Sequence, residues 1–306
     1  MLRQALLFAS RRDGVRKVIE TAPFSGDVVR RFIAGETIED AARVTGELTG
    51  EGLLVTLDVL GEDTDDKGRA EANVQRYIEL LERLAAAELG TRAEVSVKLS
   101  ALGQAFDEDL ALSNARRICE AARSAKTTVT VDMEQYTAVD ATLRAVQELR
   151  RDFPDVGAVI QAYLRRAEEY CAELAYEGSR VRLCKGAYAA PSTVAFTDKG
   201  EVDKSFVRCM KVLMAGKGYP MIATHDPRLI EIAGALAVLH DRASTSFEYQ
   251  MLYGIRPQEQ RRLAAQGAQV RVYVAYGREW YPYFMRRLAE RPANLRFFMR
   301  SVAGRS

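Results

Sequence analysis

The chain has only two histidines in its 306 residues, His225 and His240. That is too few for a metal centre built on imidazole, and a carboxylate metal site finds no support in the pattern. Its four cysteines, Cys119, Cys171, Cys184 and Cys209, include no C-x-x-C pair. They read as buried thiols in a reducing compartment. Charge of one sign is not in excess: 44 Lys and Arg face 42 Asp and Glu, a net charge of +2. The basic residues are spread along the chain, so no nucleic acid is expected as a partner. No apolar run approaches the length of a membrane span. The opening MLRQALLFASRRDGVRKV lacks a continuous apolar core and a cleavage site, and is not read as a signal peptide. A cytoplasmic protein is expected. Peripheral contact with the inner face of a membrane needs no span and stays open. G-x-G-x-x-G, the P-loop and G-x-S-x-G are all missing. No stretch rich in Pro, Gly or Ser marks a linker.

What is present is a regular alternation. Residues 1–50 read as helical, with breaks at Phe24–Gly26 and Gly35 and a new helix capped by Thr37. Apolar, β-branched runs follow at 53–60, 94–100, 127–134, 156–164, 180–188, 219–226, 244–252 and 269–276. Amphipathic stretches separate them, for example 67–88, 106–124, 139–152 and 203–216. Strands alternating with helices imply right-handed crossovers and a parallel sheet. Eight repeats in about 250 residues fit a closed (β/α)8 barrel. An open doubly wound sheet usually announces its dinucleotide site with the glycine fingerprint that this chain lacks. The expectation is an α/β protein: a helical N-terminal appendage over 1–50 and a (β/α)8 barrel over 51–306.

In such barrels the chemistry sits at the C-terminal ends of the strands. That rule selects Lys98 at the end of the second run, Asp132 and Glu134 at the third, Gln161 in the fourth, and Arg182, Lys185 and Tyr188 in the fifth. It adds Thr224, His225 and Asp226 at the sixth, Glu248 and Gln250 in the seventh, and Tyr273 in the eighth. Each has a plainer reading. Lys98 and Asp132 suit a structural ion pair, His225 suits a helix cap before Asp226-Pro227, and Cys184 suits core packing. Beyond Gly277 the chain carries Trp280, Tyr281, Tyr283 and Phe284, then Arg286 and Arg287 with Glu290. Adjacent guanidiniums with an acidic partner can clamp a carboxylate or phosphate. An exposed ion pair on a helix is the ordinary alternative. Arg286 and Arg287 fall about nine residues past Gly277, and a helix rises roughly 1.5 Å per residue. The helix is therefore expected across the barrel mouth. Lys98, Arg182, Lys185, Arg286 and Arg287 together exceed what a neutral ligand needs. Buried cations need partners, so two bound anions are expected: a cofactor pyrophosphate and a substrate carboxylate.

The segments VKLS (97–100), VDME (131–134), VIQAY (159–163), VRLCKGAY (181–188), IATHD (222–226) and YGREWYPYFMRRLAERPAN (276–294) resemble the proline dehydrogenase family in its short monofunctional bacterial form. The resemblance covers essentially the whole chain in order. It implies a distorted barrel that binds FAD non-covalently, a flavoprotein oxidoreductase of proline catabolism. The reaction implied is oxidation of L-proline to Δ1-pyrroline-5-carboxylate, with electrons passing to a quinone. A separate pyrroline-5-carboxylate dehydrogenase would take the product. By the same resemblance Lys98, Arg286 and Arg287 form the carboxylate clamp, and Glu290 holds the arginine pair. Tyr273 and Leu252 touch the proline ring, and Tyr188 closes the pocket. Arg182 lies beside flavin N5, and Asp132 is the catalytic acidic residue. Met133, Gln161, Lys185, Gly186, Ala187, Tyr188, Thr224 and His225 fall at cofactor-binding positions. Ala275 and Ala189 depart from the family pattern at positions that supply no chemistry.

Three other readings make different predictions. A flavin barrel of the methylenetetrahydrofolate reductase type would use NAD(P)H. A Schiff-base aldolase using Lys98 or Lys185 would be colourless and trapped by borohydride. A barrel scaffold without enzymatic activity would bind no chromophore.

Overall fold

A computed structural model describes residues 29–61, 64 and 66–290. Eight parallel strands close into a barrel in chain order. They are β1 (Leu54–Val59), β2 (Ala93–Val97), β3 (Val129–Val131), β4 (Gly157–Gln161), β5 (Arg180–Cys184), β6 (Tyr219–Ala223), β7 (Glu248–Leu252) and β8 (Val270–Tyr276). Closure is made by β1 against β8, in register from Leu54 opposite Arg271 to Val59 opposite Tyr276. Among the described residues the helices are α1 (Ile38–Gly50), α2 (Lys67–Ala86), α3 (Glu108–Ser124), α4 (Val139–Arg150), α5 (Ala167–Leu174), α6 (Lys199–Ala215), α7 (Pro227–Leu239), α8 (Pro257–Ala265) and α9 (Trp280–Glu290).

Local sequence explains where these helices begin. Thr37 and Asp40 form a reciprocal capping box on α1. Asp66, Asp107, Asp198 and Asp226 each accept a hydrogen bond from a first-turn amide of α2, α3, α6 and α7. Each such cap is worth about 1 kcal/mol. On α2 the buried residues Ala70, Val74, Tyr77, Leu80, Leu81 and Leu84 recur at helical spacing and make one stripe toward the sheet.

Several strands stop earlier than their apolar runs. β2 ends at Val97, β3 at Val131, β4 at Gln161, β5 at Cys184 and β6 at Ala223, whereas the runs continue to 100, 134, 164, 188 and 226. Past these points single backbone hydrogen bonds still cross, such as Asp132 N to Val97 O and Tyr163 N to Lys185 O, but the regular ladder ends. The leftover residues become loops at the mouth, for example the short 3-10 turn Ser100–Leu102.

Strand alternation sends two kinds of side chain in opposite directions. Val55, Leu57, Val95, Val97, Val129, Val131, Val272 and Val274 join the apolar core beneath the helices. Thr56, Asp58, Glu94, Ser96, Thr130, Arg182, Glu248, Gln250 and Arg271 are also buried, and they face the barrel axis. Arg182 on β5 reaches Ser96 on β2, and strands on opposite sides of a ring can meet only through its interior.

The N-terminal segment is stitched onto the barrel. Where β7 leaves β8, Ile33 takes its place beside Ala275. Ala34 N donates to Ala275 O at 3.0 Å, and Gly277 N donates to Gly35 O at 3.0 Å. Gly254, at φ +73, lies so close to Arg31 O that a Cβ there would collide with it. A second apolar cluster joins Val29, Phe32, Ile33, Leu60 and Ile255 to Trp280, Tyr281, Tyr283, Phe284 and Met285 of α9, with Leu252 against it. Leu60 and Leu252 mark the C-terminal ends of β1 and β7, so α9 packs at the mouth end of the barrel.

Candidate active site

Lys98 and Asp132, just beyond the ends of β2 and β3, meet Arg182 from the middle of β5 and Tyr273 from the middle of β8. Asp132 accepts from Arg182 Nη1 and from Tyr273 Oη, each at 2.7 Å. The Arg182 guanidinium carbon lies 5.2 Å from the Tyr273 ring centroid, within cation–π range. Lys98 Nζ is 3.9 Å from Asp132 Oδ2 and 2.6 Å from Asp58 Oδ1. The stronger partner of Lys98 is thus Asp58 on β1.

Beneath this cluster lies a continuous charged network. Glu94 Oε1 accepts from Thr56, Thr130 and Arg182, and Glu94 Oε2 accepts from Arg180 at 2.6 Å. Arg271 donates Nε and Nη2 to the two oxygens of Glu248 at 2.7 and 3.0 Å. Burial alone would raise the Glu94 carboxyl. Arg180, Arg271 and Arg182 outweigh it and hold Glu94 well below the usual carboxylate range. Burial would lower Arg182, but Asp132 and Glu94 leave it raised. The Tyr273 phenol is pushed well above its usual value, first by burial and then by Asp132 and Asp58. It therefore remains a protonated donor to Asp132.

The expectation of two bound anions rested on an excess of cations, and three of the five cations counted there have carboxylate partners in the fold. Lys98 is paired with Asp58, Arg182 with Asp132 and Glu94, and Lys185 with Asp203 and, at 3.3 Å, Asp226. The partners come from distant strands and from α6, which no local pattern pairs with the mouth. Asp58, Glu94, Ser96 and Arg271 were missed in the sequence. Their signal was a polar residue on every second position of an otherwise apolar strand. Asp203 left none, being one acidic residue among others on a helix.

Other sequence candidates take clear places. His225 is no helix cap: Asp226 caps α7, while His225 Nε2 accepts from Leu252 N at 2.9 Å and ties the ends of β6 and β7. Thr224 Oγ1 accepts from Asp226 N. Met133 is buried in the main core. Ala187 is exposed and Tyr188 half-buried on the loop after β5. Burial raises the Cys184 thiol to about 11, which suits packing and not nucleophilic attack. Arg287 is half-buried on α9, its guanidinium carbon 5.0 Å from the Tyr283 ring centroid. The side chains of Arg286 and Glu290 lie outside the described residues.

Two features suit a bound planar cofactor. Gln161 donates Nε2 to Met133 O at 2.6 Å and to Glu134 O at 3.1 Å. Its Oε1 is buried and has no partner among the described residues, an acceptor kept for a donor from elsewhere. Gly186 has φ +96 and lies so close to the Tyr163 ring that a Cβ would collide with it. The loop thus passes Tyr163 with bare backbone. With Lys185 and Arg182 beside them, these groups fit a flavin that presents ring N–H groups and a phosphate tail.

An eight-stranded parallel barrel with a charged interior and a polar cluster at its strand ends is the architecture of a barrel enzyme. The family described as "Proline dehydrogenase" matches residues 41–300. The chain is 38% identical over 302 residues to "Proline dehydrogenase 1" of Bacillus subtilis (strain 168), covering 99% of each chain. It is also 38% identical over 307 residues to "Proline dehydrogenase" of Deinococcus radiodurans, covering 99% of this chain and 98% of that one. A crystal structure of proline utilization A (PutA) from Bdellovibrio bacteriovorus, inactivated by N-propargylglycine, superposes with a TM-score of 0.81 at 25% identity. That match covers 92% of this chain and 34% of the solved one, so the chain spans about a third of that larger protein. The chain belongs to the proline dehydrogenase family.

Proposed function

We propose that this chain oxidises L-proline to Δ1-pyrroline-5-carboxylate with FAD as a non-covalent cofactor, the first step of proline catabolism. The observation that carries the reading is the Tyr273–Asp132–Arg182 cluster at the strand ends, next to the Asp58-held Lys98. The oxidation removes a hydride from the ring carbon beside nitrogen and a proton from the amine, leaving a C=N bond. A bound flavin supplies the hydride acceptor; the protein supplies position and electrostatics.

In this reading Lys98 and Arg287, joined by Arg286, hold the substrate carboxylate, with Glu290 supporting the arginine pair. Fixing the carboxylate orients the ring, a positional effect. Leu252 and Tyr273 face the ring, and Tyr188 closes the pocket. Arg182 favours the negative charge that arrives with reduction. Gln161, Lys185, Gly186, Ala187, Thr224, His225 and Met133 are the proposed cofactor contacts. The aromatic side of α9, packed on residues 29–35, excludes water. Residues 51–306 form the proposed catalytic barrel and 1–50 its appendage. A quinone is the proposed terminal acceptor, and a separate pyrroline-5-carboxylate dehydrogenase the proposed consumer of product.

No helix among the described residues is long and apolar enough to cross a membrane. A cytoplasmic protein that touches the inner face of the membrane to reach its quinone is the reading we propose. The folate-reductase and aldolase readings are not favoured by the family match, and both aldolase candidates, Lys98 and Lys185, are ion-paired to carboxylates.

The test is anaerobic mixing. The purified protein should be yellow, bleached by L-proline and unchanged by NADH. Pyrrolidine, which lacks the carboxylate, should bleach it poorly. A colourless protein, or bleaching by NADH but not proline, would sink the proposal.

A further inference from the structure

We propose that Gln250 is a positioning residue that holds the Arg182 guanidinium, and that Glu248 sets its orientation. Arg182 Nε donates to Gln250 Oε1 at 2.6 Å. Gln250 Nε2 donates to Glu248 Oε1 at 2.6 Å. Glu248 is fully buried and held by Arg271 through both oxygens. These groups form a chain of contacts from Arg271 on β8, through Glu248 and Gln250 on β7, to Arg182 on β5.

The two orientations of the Gln250 amide are not equivalent. An ionised carboxylate only accepts hydrogen bonds, and a guanidinium only donates them. Turning the amide over would set its oxygen against Glu248 and its NH2 against Arg182 Nε. Two hydrogen bonds would become two repulsions. Glu248 therefore fixes which end of the amide meets Arg182. Arg271 matters at one remove, because it holds the carboxylate that does this.

The choice of an amide also has a consequence for charge. Arg182 already faces Asp132 at 2.7 Å and Glu94 at 3.4 Å. A third carboxylate would hold the guanidinium equally well and cancel the positive potential it offers the mouth. Gln250 gives a short acceptor with no net charge. This deepens the proposed function: it rests on that reading for what Arg182 does in the reaction, though not for how Arg182 is held.

The test uses the flavin-loaded protein with Gln250→Met and Gln250→Glu. Three quantities are measured: hydrogen exchange of the Arg182 Nε–H by NMR, the flavin reduction potential without substrate, and anaerobic flavin reduction by proline. Gln250→Met should speed exchange at Nε–H and lower the potential. It should slow reduction on the order of 10- to 100-fold, as misplaced catalytic groups do, with proline binding unchanged. Gln250→Glu separates geometry from charge. At low pH the new carboxyl keeps its proton, donates it in a hydrogen bond to Glu248, and accepts from Arg182 as the amide did. Burial and the Glu248, Asp132 and Glu94 carboxylates raise its pKa, while Arg182 and Arg271 lower it. Its rate relative to wild type should therefore be near one at low pH and fall as pH rises through that pKa.

If Gln250→Met does not fold, Gln250→Glu carries the test alone. Unchanged exchange at Nε–H would overturn the proposal. So would variants that lose only thermal stability, with a wild-type potential and a rate ratio flat in pH. If wild type is not bleached by proline, the functional reading fails instead, while Nε–H exchange still decides whether Gln250 holds Arg182.

Discussion

On β1, Val55 and Leu57 face α1 and α2, while Thr56 and Asp58 face the barrel axis. The same split runs around the ring. Outside the strands the packing is apolar and close, with Leu80, Leu84 and Ile118 fully buried against the sheet. Inside, four carboxylates (Asp58, Glu94, Asp132, Glu248) meet four cations (Lys98, Arg180, Arg182, Arg271). The outer layer is held by area, which is non-directional and tolerates exchange of one apolar group for another of similar volume. The inner layer is held by partners, and each group there needs a particular neighbour at a particular angle. The outer layer should therefore set stability, and the inner layer should set what the mouth can do. A buried ion network is not required for a stable core, so its presence here points to the reaction.

The largest expected effect comes from breaking the inner layer. Arg271→Met strands the buried Glu248 carboxylate and should cost about 3–5 kcal/mol of stability, read by denaturant unfolding. The double variant Arg271→Met with Glu248→Leu should recover most of that stability, because an apolar pair can replace a buried ion pair. Flavin reduction should stay impaired, because Gln250 has lost the carboxylate that orients it. Recovery of both would erase the distinction between the layers.

Next in size is the outer layer. Leu84→Ala on α2 should cost about 3 kcal/mol through lost burial and the cavity left behind. The folded fraction should keep its kcat/KM for proline. A large loss of kcat/KM in folded protein would show that helix packing also controls the site.

The smallest effect should be local. Tyr273→Phe removes the donor 2.7 Å from Asp132. A hydrogen bond to a charged group is worth about 1.5–3 kcal/mol, and the loss should appear in kcat/KM with unfolding almost unchanged. If stability fell instead, Tyr273 would belong with the structural part of the network.

Much of this was legible beforehand, and the particular residues show why. Thr37 announced α1 because capping is a short-range event among residues three apart. The eight apolar runs announced the barrel, because alternating strand and helix leaves few topologies. The ends of the runs were misplaced, since apolar residues such as Met133 and Tyr163 continue past the last paired positions of β3 and β4, and a propensity argument reads them as strand. Lys98, Asp132, Arg182 and Tyr273 could be selected by position at strand ends, and the family resemblance assigned their roles.

The pairings could not be selected that way. Lys98 chose Asp58, 40 residues away, over Asp132, and Arg182 is held by Gln250, 68 residues away. Residues 29–35, read as part of an appendage packed on the barrel, fill the place beside β8 that β7 vacates. By itself the sequence determined what depends on neighbours along the chain: helix starts, strand alternation, the polar parity of inward positions and the aromatic character of α9. Only the tertiary structure decided which charges meet, because barrel closure fixes the register of strands far apart in sequence, and a Coulomb or hydrogen-bond partner is chosen by distances of a few ångströms that no local pattern encodes.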